Sequence, residues 1–135
     1  MICKNNLPIV SLDSMNKIHF EEIEILNALL EEFDNKVDFE ILSKKLENLL
    51  EHMQQHFTSE EKLMQQFQYP SFRMHKADHD KVLNETRYAE MQWRNKKDKD
   101  ALREYIEDDI VPWLDQHIKA MDMPMADYIS NINQN

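Results

Sequence analysis

From Phe39 to Phe67 the chain returns to one face at alternating spacings of three and four residues. The stripe reads Phe39, Leu42, Leu46, Leu49, Met53, His56, Glu60, Leu63, Phe67. That is the period of an amphipathic helix, and the seam is apolar except for one imidazole and one carboxylate. Three other segments repeat the pattern with the same kind of interruption, which makes four in chain order. The first, over about 13–33, reads His19, Ile23, Leu26, Leu30, Phe33 and takes Asp13 or Ser14 as its N-cap; Asp34-Asn35-Lys36 reads as the following turn. The second, over 38–67, starts on Asp38 and is stopped by Tyr69-Pro70, because a proline disfavours helix in the residue before it. The third, over 71–93, is capped by Ser71 and reads Phe72, His75, His79, Val82, Thr86, Trp93, with the charged run from Arg94 to Asp100 as the next loop. The fourth, over 100–119, reads Leu102, Ile106, Ile110, Trp113, His117; Pro112 inside it predicts a kink or a lost backbone bond. Residues from Met123 to Asn135 read as a tail whose Tyr128 and Ile129 fold back. The expectation is all-α: an up-down-up-down four-helix bundle with a short C-terminal tail, one domain over 1–135.

Composition narrows this further. The chain has no Gly, which removes glycine-rich phosphate loops and dinucleotide fingerprints, and its turns are expected to rely on Asn, Asp and Pro. Sixteen basic against 26 acidic residues give a net charge of −10, which disfavours nucleic acid and anionic membranes as partners. No apolar run approaches the roughly 20 residues of a membrane span. The first ten residues lack the apolar core of a signal peptide, so a cytoplasmic location follows by default. The lone Cys3 excludes an internal disulfide and reads as an exposed terminal thiol.

The chemistry lies in the interrupted seams. A buried imidazole beside a buried carboxylate is costly unless something compensates, and metal ions are the usual compensation. In an antiparallel bundle His19, early in its helix, His56, late, His75, early, and His117, late, all fall toward one end. His75 and His79 share a helical face at i, i+4, as do His56 and Glu60. Asp122 lies five residues after His117, an offset expected to cross the end of the last helix and let the carboxylate turn back. Five imidazoles and two carboxylates exceed one four-coordinate zinc site and suit two metals bridged by the carboxylates. One metal would take His75, His79, His117, both carboxylates and a shared oxygen. The other would take His19, His56, the same carboxylates and the shared oxygen, one position short of the first and open to a small diatomic molecule. Imidazole with carboxylate and an open position favours non-haem iron. No Glu-x-x-His occurs, so the set differs from carboxylate-rich dimetal bundles. His52 reads as a flanking residue, the nine methionines as core filling, and Glu21-Glu22 and Glu31-Glu32 as solvated faces.

Taken in order, these residues closely resemble the hemerythrin family in its single-domain bacterial form. The resemblance runs from Asp13 to about Tyr128. It is carried by the run from His56 through Glu61 with Leu63-Met64, then Tyr69-Pro70, the His75/His79 pair, Trp113-Leu114 before His117-Ile118, Asp122, and Asn27 eight residues past His19. It implies an oxygen-bridged pair of iron ions that binds dioxygen reversibly; the expectation is a monomer without enzymatic turnover. His75, His79 and His117 would hold one iron, His19 and His56 the other, with Glu60 and Asp122 as bridges and Phe57, Trp113, Leu114 and Ile118 as an apolar wall. Two departures stand out. Glu22 takes a position where the family commonly has an apolar residue, and it is expected to face water, since Ile23 can fill the core. His52 stands where an aromatic is often found. If Glu22 or His52 reached the site, a di-iron oxidase or peroxidase would be the rival reading; an oxygen-, iron- or redox-sensing module is the third.

Overall fold

The structure, a computed structural model, describes residues 7–35 and 38–133. Cys3 and Lys36 lie outside the described residues. These form four helices and no strand among the described residues. Helix α1 is Asp13–Asp34, α2 is Phe39–Gln66 and α3 is Phe72–Lys96. The fourth, α4, covers 99–133 in five consecutive stretches: Lys99–Tyr105, a π turn Ile106–Ile110, Val111–His117, a second π turn Ile118–Asp122, and Met123–Asn133. Helix α2 packs on both α1 and α3, and α4 on both α3 and α1, which closes the up-down-up-down ring. At 28 residues α2 is about 42 Å long. No helix among the described residues is long and apolar enough to cross a membrane.

The seams are the core. Ile23, Leu26, Leu42, Leu46, Leu49, Val82, Ile106 and Ile110 are buried, and Phe39 and Trp113 pack half-buried against them. Several boundaries differ from expectation. Helix α1 is entered from Leu12 without a side-chain cap, so Asp13 sits inside its first turn. Asp38 caps α2 as expected, accepting from the Glu40 and Ile41 N–H groups. Ser71 precedes α3 but makes no capping bond. The expected loop over 94–100 shrinks to two residues, because α3 continues to Lys96 and Asp98 caps α4 by accepting from Ala101 N–H. Without Gly, the left-handed turn positions fall to Gln68 (φ 51°) and Lys97 (φ 53°) rather than to Asn or Asp. Each costs on the order of 1 kcal/mol, offset by bonds such as Lys97 N–H to Trp93 O at 2.8 Å.

The main correction concerns the C-terminus. The segment from Met123 is the last stretch of α4, not a tail, and it buries Met125, Ala126 and Ile129 while Tyr128 packs edge-on against Tyr69. The helix continues through Pro112. The preceding π turn takes up the mismatch, with Val111 N–H bonding back to Ile106 O, so the missing N–H falls where the ladder is already re-phased.

Candidate metal centre

The four helices bring His19, His56, Glu60, His75, His79, His117 and Asp122 to one place, each at most 2% exposed. Their donor atoms fall into two overlapping groups: Glu60, His75, His79, His117 and Asp122, and His19, His56, Glu60 and Asp122. Glu60 and Asp122 belong to both. On α2 and α3 the i, i+4 spacing aligns the ligating side chains. On α4 the offset is five, which an α-helix would misalign. The second π turn absorbs the extra residue, with Met123 N–H bonded to Ile118 O. Asp122 therefore reaches His117 from within a continuous helix, to 3.1 Å between Oδ1 and Nε2, and not by turning back past a helix end.

The donor atoms converge on common points instead of pairing. His19 Nε2 lies 2.9 Å from Asp122 Oδ2, and His75 Nε2 lies 3.0 Å from Asp122 Oδ1 and 3.2 Å from Glu60 Oε1. Yet these nitrogens, Glu60 Oε1 and both Asp122 oxygens lack any hydrogen bond of acceptable geometry. Buried polar atoms are rarely left so. Separations near 3 Å are what neighbouring ligands of an ion with bonds of about 2.1 Å adopt. His79 Nε2 and His117 Nε2 face each other at 3.1 Å. Their Nδ1–H groups donate outward, to Glu61 Oε2 at 3.0 Å and to Asp78 Oδ2 at 2.6 Å, which leaves lone pairs at the inner nitrogens. Two inward lone pairs at that distance call for a cation between them. The residues fit a metal pair.

Three outer carboxylates follow a rule; the sequence reading missed the part played by Glu61 and Asp78 and expected Glu22 to face water. Glu22 on α1 accepts from His56 Nδ1–H on α2 at 3.0 Å, Glu61 on α2 from His79 on α3, and Asp78 on α3 from His117 on α4. Each of the first three helices thus orients an imidazole of the next. Glu61 and Asp78 are sequence neighbours of the candidate ligands Glu60 and His79, and that adjacency was the available signal.

Glu22 corrects the expectation that it faces water. It is 3% exposed. Burial works against its ionised form, but His56 and His52 outweigh that and hold the carboxyl near 2. His52, 3.7 Å from Glu22 Oε1, also touches the exposed Glu21 at 3.4 Å. A file of ionisable groups therefore runs from the surface to His56. Burial likewise opposes the imidazolium form of His56, yet Glu22 and Glu60 raise it well above the usual histidine range. Glu60 is held well below the carboxylate range against its burial, chiefly by the charge and hydrogen bond of His56, with His19 and His75 close by.

Apolar rings close over this polar centre. Phe57 stacks on His79 at 4.1 Å between ring centroids and tilts against His56; Trp113 stacks on His117 at 4.5 Å. Leu114 and Ile118 flank His117 along the chain and are buried.

A donor set of five histidines and two carboxylates on four helices matches a known architecture. The family model described as the hemerythrin HHE cation binding domain matches residues 7–129. The chain belongs to the hemerythrin family. It is 31% identical over 117 residues to a protein named bacteriohemerythrin from Aquifex aeolicus (strain VF5), covering 87% of this chain and 88% of that relative. No solved structure gives a significant match. The hemerythrin assignment makes this a metal-binding four-helix bundle.

Proposed function

We propose that this chain binds dioxygen reversibly at a di-iron centre held by His19, His56, Glu60, His75, His79, His117 and Asp122. The observation that supports this best is the asymmetry of the two donor groups, five protein side chains against four, sharing Glu60 and Asp122. The group with fewer protein donors leaves room for an exogenous ligand. A pair of ferrous ions supplies the two electrons that dioxygen takes up on binding and returns on release. The protein's part is to hold and to exclude. Glu22, Glu61 and Asp78 fix the Nδ1–H tautomer of three imidazoles, so that their inner nitrogens point at the metals. Phe57, Trp113, Leu114 and Ile118 form the dry wall that keeps water and protons from the bound gas. The proposal takes the chain as one domain over 1–135, monomeric and cytoplasmic, with dioxygen as partner and no enzymatic turnover.

A second reading, a di-iron oxidase or peroxidase, is favoured by one observation. Buried Glu22 joins His56 to His52 and the surface, which offers protons a way in that the apolar wall denies them elsewhere. One experiment separates the two. The anaerobic ferrous protein is exposed to air and then degassed, repeatedly, while its visible spectrum is followed. A charge-transfer band that comes and goes through many cycles supports a carrier. A band lost irreversibly while hydrogen peroxide or water forms supports the enzyme. Fewer than two irons per chain after anaerobic reconstitution refutes both.

A further inference from the structure

On the outer side of Trp113, α3 and α4 leave a groove of about 1130 Å³ between them. Its floor is apolar and buried, made by Val82, Trp93 and Leu102. Half-buried Tyr105 and Trp113 line it too. Its rim is acidic: exposed Glu85, Asp108 and Asp109 surround the opening, and among the described residues none of them has an ion-pair partner. Asp98 adds a fourth carboxylate, already engaged with Ala101 N–H, and Lys96 is the lone basic residue among the described lining. Asp108 and Asp109 both come from the first π turn of α4, the widened stretch between Tyr105 and Pro112. Such turns recur at functional sites.

We infer that this groove is a binding site for a small organic cation with a flat aromatic body, its rings against Trp93, Tyr105 and Trp113 and its charge among Glu85, Asp108 and Asp109. Aromatic faces and unpaired carboxylates attract the same kind of ligand, one through the ring quadrupole and the other through its charge. The volume suits a drug-sized molecule rather than a single ion. An anionic or strongly hydrated ligand would meet like charge at the rim and an apolar floor. The rim's negative potential is felt inside the groove. Tyr105, donating to or accepting from Thr86 at 2.9 Å, has its hydroxyl raised above the usual phenol range by burial first and by Glu85 and Asp109 next.

Both tryptophans of the chain line this groove, so intrinsic fluorescence responds to its occupancy. The test titrates the full-length protein as purified with 10-methylacridinium at low salt. It follows tryptophan quenching and dye anisotropy, with neutral acridine at pH 7.5 as the uncharged counterpart. Saturable binding is expected, at least tenfold tighter for the cation. The double substitution Asp108→Asn with Asp109→Asn is expected to weaken it at least fivefold. Glu47→Gln with Glu51→Gln removes the same charge from exposed positions on α2 and is expected to change it less than twofold. Equal weakening by both pairs, equal affinity for acridine, or no saturable binding up to 1 mM overturns the inference. Both pairs replace exposed side chains, and circular dichroism confirms that they fold.

Discussion

Glu60→Ala strikes the metal centre at the residue both donor groups share. The carboxylate is 2% exposed, with Oε2 at 2.6 Å from His56 Nε2 and Oε1 at 3.1 Å from His79 Nε2. Removing it takes a donor from each metal position. It also strips His56 Nε2 of the acceptor it has among the described residues. A buried group left unpaired costs about 1–3 kcal/mol, and removing one partner of a buried ionic pair costs about 3–5 kcal/mol. These describe one loss from two sides and are not summed; their overlap, about 3 kcal/mol, is the expected destabilisation. In a domain of this size it lowers Tm by roughly 10–15 °C, a large part of the stability a domain of about 5–15 kcal/mol possesses. The comparison is made on chelated samples, so that metal linkage does not enter. In reconstituted samples bound iron should fall below one per chain. Glu60→Gln keeps the volume and one acceptor oxygen, and should lose metal with a smaller fall in Tm. An alanine variant that holds the parent's iron and melts within about 3 °C of it would refute the assignment of Glu60 to both positions.

Three further outcomes follow from the same geometry. Glu22→Leu removes the one buried carboxylate that connects His56 to the surface; it should cost about 1–3 kcal/mol by stranding His56 Nδ1–H, yet lengthen the series of reversible oxygenation cycles, and a shortened series would contradict the role given to Glu22. Deleting exposed Ala120 takes the extra residue out of the second π turn and returns His117 and the carboxylate to an i, i+4 relation like that of His56 and Glu60; helicity and bound metal should survive, and loss of both would show that the turn itself, not the shared face, is required. Tyr105 has its hydroxyl raised above 10.0, first by burial, so the folded chain keeps that proton longer than the unfolded one; stability is therefore present below pH 10 and falls as pH rises through the folded value, and Tyr105→Phe should remove one late step of the tyrosinate absorbance titration.

The helices and the inner donor set were legible because both rest on period. Every histidine of the proposed donor set occupies a seam position where the 3.6-residue repeat calls for an apolar side chain. What the repeat could not show is where the helix departs from it. The two π turns of α4 add residues to the backbone without leaving a sequence mark, so Asp122 looked as though it lay past a helix end and Met123 onward looked like a tail. The outer carboxylates were hidden for another reason. Glu61 and Asp78 sit one residue, about 100° of helix, from a ligand, so they face the neighbouring helix, and which neighbour they meet depends on packing. Glu22 lies three residues from His19 on the same face. Its burial follows from the pair it forms with His56, and a single-helix pattern that offers Ile23 for the core gives the opposite answer.

That pairing also explains why so polar a cluster stays buried. Glu60 and Asp122 inside, with Glu22, Glu61 and Asp78 outside, surround five imidazoles with carboxylates from all four helices. If every imidazole were neutral, the centre would carry negative charge in a medium that solvates it poorly. Positive charge must come from somewhere. Protons can supply it, and His19, His56 and His75 are accordingly drawn above the usual histidine range, against their burial, by the carboxylates around them. Metal ions supply it more completely, because each occupies a point on which several donors already converge, while a proton satisfies one pair. Protons and metals then compete for the same inner nitrogens, and loading the centre expels protons. A bundle built this way is held in shape by its outer carboxylates before any ion arrives. That is why the inner atoms of His19, His75 and Asp122 stand about 3 Å apart without bonding to one another.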